Sequence, residues 1–327
     1  PNRFCASDSA SRLREIIINT INSGEIISTS QIKVFEASNY PVISILNKAK
    51  TGEMFLIRQI KNLSQLVKSI EFLEKKYYAY RSHFELFPNK VIPININQFA
   101  FNLVIRLYAE KQIMAKYLYV SEGLRIPSKL ETESIDDLKI VKQYQFIRYS
   151  TIKDGSFITI KNFSKIISSK SDRYNRIFSE KILIAEDALQ ITATIDEDKC
   201  VPQGGVYFAT LTSKKLSIKF FLGLLNSKLL SYIYEALYAG MHMGGGYMRY
   251  RSKFLENLPV PEKIETVYAE KINTIVDKIL FITKDYDYLQ NQQKQARAKE
   301  LEREIDQLVY KLYELTEEEI RIVEGEK

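Results

Sequence analysis

The chain contains few of the residues that metal centres and disulfide-linked folds require. Among 327 residues there are two cysteines, Cys5 and Cys200, two histidines, His83 and His242, and no tryptophan. Two cysteines cannot form a disulfide framework, and we expect both to be reduced thiols of a cytoplasmic protein. With only two histidines, histidine-based metal sites and catalytic triads are hard to build.

Long apolar runs and catalytic signatures are also missing. No run of about 18 consecutive residues is apolar and free of charged side chains, so the sequence predicts no membrane span. There is no G-x-G-x-x-G, P-loop, G-x-S-x-G or H-E-x-x-H pattern. The acidic run at 196–199 is interpreted as a solvated loop. We therefore predict that this chain alone is not an enzyme and holds no metal or cofactor. Because it starts at Pro1 without a signal peptide, we expect a piece of a larger protein.

Basic charge is in excess. The chain has 47 lysines and arginines against 40 acidic residues, a net charge of +7, which favours a polyanionic partner. The excess is concentrated in residues 210–253, where Glu235 is the only acidic residue, whereas acidic residues prevail in residues 290–327. This asymmetry is typical of a phosphate-binding face, and a solvated basic helix is the alternative.

The spacing of apolar residues predicts an α+β protein with a mainly β middle between residues 119 and 210. Helices are predicted over residues 8–23, 62–82, 98–116 and 214–239, and strands over residues 25–28, 32–35, 42–46, 54–60, 157–161, 181–184 and 206–211. Two antiparallel helices joined near residues 287–293 form the tail, and a capping box at 316–319 begins one last helix.

Individual residues refine these predictions. Asp8 or Ser9 is expected to cap the first helix and Gly24 to end it, while Ser213 is expected to cap the helix over 214–239. Residues 42–46 are nearly all apolar, which suits a strand buried on both faces. The helix over 214–239 has an apolar face too wide for a surface element, so we expect it in the core.

Three short segments combine glycine or hydroxyl groups with basic side chains. The sharpest is GGGYMRYRSK at residues 244–253, where glycines allow close approach of a ligand and arginine forks suit phosphate or a guanine edge. The other two are SEGLRIPSK at 121–129 and RYSTIK at 148–153. Flexible surface loops of no special function often have the same composition, and that interpretation stays open for each segment.

Several motifs, in this order, resemble one known family. GLLNSKL at residues 223–229 is followed about 30 residues later by LENLPVP at 255–261, and KILI at 181–184 and GLR at 123–125 precede them. They resemble the TaqI-like C-terminal specificity domain of type IIG restriction–modification enzymes and related N6-adenine DNA methyltransferases. KVFEA at 33–37 and YPVISIL at 40–46 resemble the last strands of the methyltransferase domain in that family.

The resemblance implies an architecture of four consecutive segments. These are the edge of an α/β methyltransferase sheet (residues 1–60), a helical connector (61–118), a mixed, mainly β target-recognition domain (119–261) and a C-terminal helical hairpin (262–327). The catalytic N-P-P-Y motif and the S-adenosylmethionine-binding turn are absent and would lie upstream. S-adenosylmethionine, and Mg²⁺ if a nuclease domain is present, would therefore belong to the full-length parent.

The function implied is recognition of duplex DNA by a monomer that is continuous with its catalytic methyltransferase domain and contacts no membrane. We expect Arg249 or Arg251 to reach a base, and Lys214 and Lys215 to lie nearer phosphates. The predicted DNA-binding residues are Arg125, Lys129, Arg148, Lys153, Lys214, Lys215, Tyr247, Arg249, Arg251 and Lys253.

The alternative is a protein-interaction module, such as a specificity subunit of a multi-subunit restriction system. In that case the leucine and isoleucine stripe between residues 301 and 315 would be exposed and would bind a partner subunit. If the stripe packs against the rest of the chain, this interpretation loses its support.

Overall fold

The computed structural model describes residues 2–30, 32, 40–48, 53–66, 73–109, 111–151, 155–213 and 215–325. These residues form two compact units, each assembled from separate parts of the chain. The first unit comprises Pro1–Lys111, Tyr232–Met248 and Thr316–Lys327, and the second comprises Gln112–Ser231 and Arg249–Leu315. The units are defined by spatial contact, and the four consecutive segments inferred from the resemblance stay a prediction.

The secondary structure is mixed, which confirms the predicted α+β class. The α-helices are α1 (Ser11–Thr20), α2 (Arg81–Glu85), α3 (Gln98–Ala109), α4 (Ile160–Ile166), α5 (Asp172–Ile177), α6 (Ile218–Leu225), α7 (Lys228–Tyr238), α8 (Ser252–Glu256), α9 (Thr266–Thr283), α10 (Gln292–Leu312) and α11 (Glu317–Glu324). No helix in the described ranges is long and apolar enough to cross a membrane.

The strands are short and belong to several small sheets. They are β1 (Ser23–Ser28), β2 (Val42–Asn47), β3 (Met54–Gln59), β4 (Lys76–Tyr80), β5 (Lys111–Ile113), β6 (Leu118–Glu122), β7 (Glu131–Thr132), β8 (Leu138–Val141), β9 (Phe146–Ile147), β10 (Ser150–Thr151), β11 (Ser156–Ile158), β12 (Lys181–Ala185), β13 (Asp187–Ala188), β14 (Ala193–Asp196), β15 (Val201–Pro202), β16 (Val206–Leu211), β17 (Met248–Arg249) and β18 (Pro259–Pro261).

The first unit is built on a mixed sheet of order β2-β1-β3-β4. Strand β1 is parallel to β3 and antiparallel to β2, with Ile26 opposite both Ile57 and Ser44. The prediction that residues 42–46 are buried on both faces is wrong, because β2 lies at the edge of the sheet and Ile45 is 56% exposed. The apolar side chains of β2 therefore have no covering layer among the described residues.

The second unit has two four-stranded sheets. In the order β14-β12-β16-β6 all neighbours are antiparallel, and Leu183 at its centre lies opposite Thr194 and Phe208. The other sheet has the order β15-β8-β11-β7. Helix α6 packs on α9 so closely that a Cβ at Gly223 would lie 2.6 Å from Cγ2 of Ile272. The core of this unit thus lies between the sheet of order β14-β12-β16-β6 and the helices α6 and α9.

The tail helices confirm the predicted hairpin. Helix α9 contacts α10, and the stripe residues Leu301 and Ile305 are each 1% exposed. Because the stripe is buried within its own unit, the support for the protein-interaction alternative is lost. The predicted capping box is present, since the backbone N–H of Glu319 donates to Oγ1 of Thr316 and that of Thr316 donates to Oε2 of Glu319.

Several predicted boundaries in the first half of the chain are wrong. Helix α1 begins at Ser11 after a 3-10 turn, and Gly24 lies inside β1 instead of ending the helix. Residues 62–82 contain a 3-10 turn, β4 and the start of α2 in place of one helix, and residues 67–72 lie outside the described ranges. Helix α3 ends at Ala109, before β5. Of the strand predicted at 32–35, residues 33–35 are not described.

Two further elements also differ from prediction. Strand β11 ends at Ile158, because Thr159 caps α4 through a 3.1 Å hydrogen bond from the N–H of Asn162. The helix predicted over 214–239 is two helices, and Ser217, not Ser213, caps the first. Both are largely buried, which confirms their expected place in the core.

The junction between α6 and α7 is the NSK part of the GLLNSKL motif. Asn226 is fully buried, and its amide accepts from the N–H of Ala193 (2.9 Å) and donates to the Ala193 carbonyl (3.0 Å). The N–H of Leu230 donates to Oγ of Ser227, and that of Lys228 to Asp306. The motif therefore joins two helices, the sheet and α10, so its role in the resemblance is structural.

Replacing Asn226 by Ala should destabilise the second unit. The variant removes both bonds to Ala193, and a buried backbone group left without its partner costs about 1–3 kcal/mol. We expect a loss of about 2 kcal/mol in the free energy of unfolding, measured by urea denaturation. Asn175→Ala on the exposed face of α5 is the control and should change stability by less than about 0.5 kcal/mol. Equal effects of the two variants would contradict the structural role of Asn226.

Both cysteines are buried thiols. Cys5 lies in the first unit and Cys200 in the second, and neither forms a disulfide. Burial raises the pKa of each thiol to about 12. The prediction that they are reduced agrees with this environment, which disfavours the reactive thiolate.

Candidate nucleic-acid interface

The glycine-rich tract is an ordered turn. The N–H of Met243 donates to the carbonyl of Tyr247 (2.8 Å), and His242 pairs with Met248. Gly245 and Gly246 occupy the left-handed region, with φ of 74° and 81°, which side-chain-bearing residues rarely adopt. The turn presents the ring of Tyr247, which is 45% exposed, at the surface of the first unit.

Arg249, the residue expected to read a base, is held by acidic groups of the second unit. Its Nε and Nη2 atoms donate to the two carboxylate oxygens of Asp187 at 2.9 and 3.0 Å, and Glu186 lies 3.8 Å away. The hydrogen bonds from Arg249 to Asp187 raise the pKa of the guanidinium above its usual range. A base contact through this edge of Arg249 would require the pair with Asp187 to break.

The other basic residues of the tract differ in exposure. Arg251 is half-buried and directly precedes α8. Its positive charge lowers the pKa of the nearby Tyr207 hydroxyl, although burial, the larger effect, raises that pKa. Lys253 is exposed and forms a 2.9 Å ion pair with Glu256. The geometry thus leaves Tyr247 and Lys253 as the most accessible of the predicted contacts here.

Arg148 is used inside the second unit. Its guanidinium donates to the carbonyl of Asn226 and forms a 2.8 Å ion pair with Glu302 on α10. The side chain therefore ties a loop to the tail helix, and this geometry does not favour the predicted contact with DNA. Lys215 is exposed, while Lys153 and Lys214 lie outside the described residues.

The loop after β6 presents two predicted residues on a rigid backbone. Leu124 and Ile126 are buried, and Arg125 between them is exposed, as is Lys129. A network of hydrogen bonds from neighbouring segments fixes this loop. In this network each bond ends on a backbone carbonyl: the N–H of Gly123 donates to Val206 (2.7 Å), that of Leu124 to Pro202 (2.7 Å), that of Gly204 to Leu124 (2.9 Å), and Nε2 of Gln203 to Ile126 (3.2 Å).

A partly buried carboxylate closes the same loop. Glu131 forms a 2.8 Å ion pair with Lys142 and is approached by Ser156 and Gln203. Its burial acts to raise the pKa, but the hydrogen bonds from these three side chains outweigh it, so the pKa of Glu131 lies below its usual range. Lys142 therefore neutralises Glu131, and the exposed charged side chains of residues 121–131 are Glu122, Arg125 and Lys129.

The sequence analysis missed three lysines beside this loop. Lys161 and Lys165 lie on α4 and Lys170 on the following turn, and all three are exposed. The available signal was the absence of acidic residues from 159–171. The sequence analysis placed a strand over 157–161 and predicted no helix where α4 lies.

A protein-family model matches the middle of the chain. Residues 138–260 match the model of the TaqI-like C-terminal specificity domain, which confirms the resemblance drawn from the motifs. That segment is similar to the specificity domain of restriction–modification enzymes, which is consistent with recognition of a DNA target. No curated protein matches the chain.

One solved structure shares its fold with nearly all of the chain, and a second is reported beside it. The type IIL restriction–modification enzyme MmeI, solved in complex with DNA, is 13% identical with a TM-score of 0.51, and the match covers 98% of this chain and 47% of that one. The type IIG restriction endonuclease BpuSI is 13% identical with a TM-score of 0.42, covering 96% and 47%. The chain therefore spans about half the length of these two enzymes.

Proposed function

We propose that the chain is the DNA target-recognition portion of a restriction–modification enzyme whose remaining part methylates adenine at N6. The observation that carries this proposal is the specificity-domain match over residues 138–260. The rigid loop at 123–131 supports it, because side chains held by a fixed backbone are what discrimination between bases requires. Lysines set the register on phosphates, and an arginine fork reads a base edge.

In this proposal the chain does no chemistry itself. The parent enzyme extrudes an adenine from the duplex, and the grip of this chain on flanking DNA offsets the few kcal/mol that extrusion costs. The parent, not this chain, supplies the site for S-adenosylmethionine, and for Mg²⁺ if it also cleaves DNA.

The edge strand β2 supports a junction with the catalytic domain in this proposal. Ile43, Ile45 and Leu46 are exposed, although an edge strand exposed to water ordinarily carries charges or proline within it. On α1, Leu13 and Ile16 are also about half exposed, and the N–H of Asn22 after this helix donates to the carbonyl of Asn47 at the end of β2. We infer that the methyltransferase sheet of the same polypeptide continues beyond β2.

Selection from a library of duplexes with a randomised segment tests this function. The chain should enrich one short asymmetric sequence, and Arg125→Gln should relax the preference at one position and weaken binding of the selected duplex by about 1–3 kcal/mol, the value of a bidentate contact to a base. Lys263→Gln, at an exposed lysine after β18, is the matched control and should leave the preference unchanged. If the unmodified chain enriches no sequence, the proposed function fails.

A further inference from the structure

The segment from Thr159 to Ser171 is a basic surface free of acidic residues. It contains Lys161, Lys165 and Lys170, all exposed, together with four serines. Among the described residues none of these three lysines forms an ion pair; the ammonium of Lys165 donates to Oδ1 of Asn162 at 3.0 Å. The positive charge of this segment therefore faces solvent without neutralisation.

Several basic side chains elsewhere in the second unit have acidic partners. Lys139 pairs with Asp198 (3.4 Å), Lys142 with Glu131 (2.8 Å), and Lys219 with Asp277. Lys161, Lys165 and Lys170 differ from these paired lysines because they share a segment of 13 residues, 159–171, that contains no acidic residue. Like charges so close together repel one another, so their arrangement is stabilised when a polyanion binds.

The lysine segment is tied directly to the loop that carries Arg125 and Lys129. On α4, Nδ2 of Asn162 donates to the carbonyl of Leu130 at 3.4 Å. On α5, the guanidinium of Arg173 donates to the carbonyls of Glu122 and Gly123, at 3.3 Å for the second. These bonds hold α4 and α5 against both ends of the loop.

We propose that Lys161, Lys165 and Lys170 bind the phosphates of duplex DNA beside the base read by Arg125. This inference rests on the proposed function and adds residues to it. Lys161 and Lys165 are four positions apart, so both project from one face of α4 about 6 Å apart along its axis. An ammonium is a point charge that suits phosphate without regard to sequence, whereas Arg125 carries the fork that can distinguish a base.

The test is the triple variant Lys161→Gln/Lys165→Gln/Lys170→Gln, studied by fluorescence anisotropy with duplexes. Each phosphate contact contributes about −0.9 to the slope of log affinity against log salt, so the slope should become shallower by about 2.7. The difference in affinity between the unmodified chain and the variant should shrink about 40-fold between roughly 50 and 200 mM salt. The sequence preference obtained by library selection should not change, because phosphates carry no sequence information.

The matched control is Lys299→Gln/Arg303→Gln/Lys311→Gln on α10, which removes the same charge from exposed positions. It should keep the slope of the unmodified chain, and thermal unfolding should show that both triple variants are folded. An unchanged slope in the α4 variant, or an equal loss in the α10 variant, would overturn the assignment of these lysines. Failure of the unmodified chain to bind duplex at the lowest salt would instead overturn the proposed function itself.

Discussion

Gly123→Ala is expected to unfold the second unit at a much lower urea concentration than the unmodified chain. A Cβ at this position would lie 2.2 Å from the carbonyl oxygen of Gln203 and 2.8 Å from that of Pro202. Both are backbone atoms, and they are fixed by the bonds from Leu124 to Pro202 and from Gly123 to Val206. The added methyl group must therefore push two segments apart, at a cost near the upper end of the usual 1–3 kcal/mol for overpacking, about 3 kcal/mol.

The control for this variant lies in the opposing segment. At Gly204 the nearest atom to a new Cβ is the Leu124 carbonyl oxygen at 4.0 Å, so Gly204→Ala meets no obstacle. We expect it to change the free energy of unfolding by less than about 0.5 kcal/mol. Equal urea midpoints for the two variants would show that the loop at 123–131 is not held as closely as the structure indicates. Because that loop carries Arg125, Gly123→Ala should also weaken DNA binding under conditions where the variant remains folded.

The sequence located elements whose pattern is local. Strands β1, β3, β12 and β16 coincide with their predicted runs because β-branched and aromatic residues alternate or cluster there. The long helix over 214–239 was divided by Asn226, whose partners belong to Ala193, more than 30 residues away. No local pattern reports such a contact, and helical periodicity continues across the break.

The candidate site was predictable to a similar extent. The loop at 121–129 was identified from its composition, and Arg125 and Lys129 are accessible there. By residue type alone, Arg148 and Arg249 were equally plausible DNA contacts. In the structure Arg148 forms an ion pair with Glu302, and Arg249 forms one with Asp187. A basic residue is free to bind phosphate only if folding brings no carboxylate to it, and that depends on tertiary structure.

The acidic run at 196–199 shows the same limit, because the prediction of a solvated loop is wrong for its first residue. Asp196 is at the end of β14, and its carboxylate pairs with the fully buried ammonium of Lys181 on β12. That ammonium also donates to the carbonyl of Ile177, and the Asp196 carboxylate accepts from the N–H of Asp198 at 3.0 Å. The pair thus anchors the edge of the sheet to the end of α5.

Lys181→Met should be strongly destabilising, since it leaves a buried carboxylate without its cation. Breaking such a pair from one side costs about 3–5 kcal/mol, and we expect a loss in this range by urea denaturation. The double variant Lys181→Met/Asp196→Asn should recover most of it, because the neutral amide oxygen still accepts from the N–H of Asp198.

The pair of Lys139 with Asp198, whose carboxylate is open to solvent, provides the comparison. Its atoms are 3.4 Å apart and Asp198 is 62% exposed, so Lys139→Met should cost less than about 1 kcal/mol. If the double variant at 181 and 196 is as unstable as Lys181→Met alone, the loss comes from the lysine's packing and its bond to Ile177, not from an uncompensated charge. If Lys181→Met is no worse than Lys139→Met, water reaches the Asp196 carboxylate and the pair is not buried in solution.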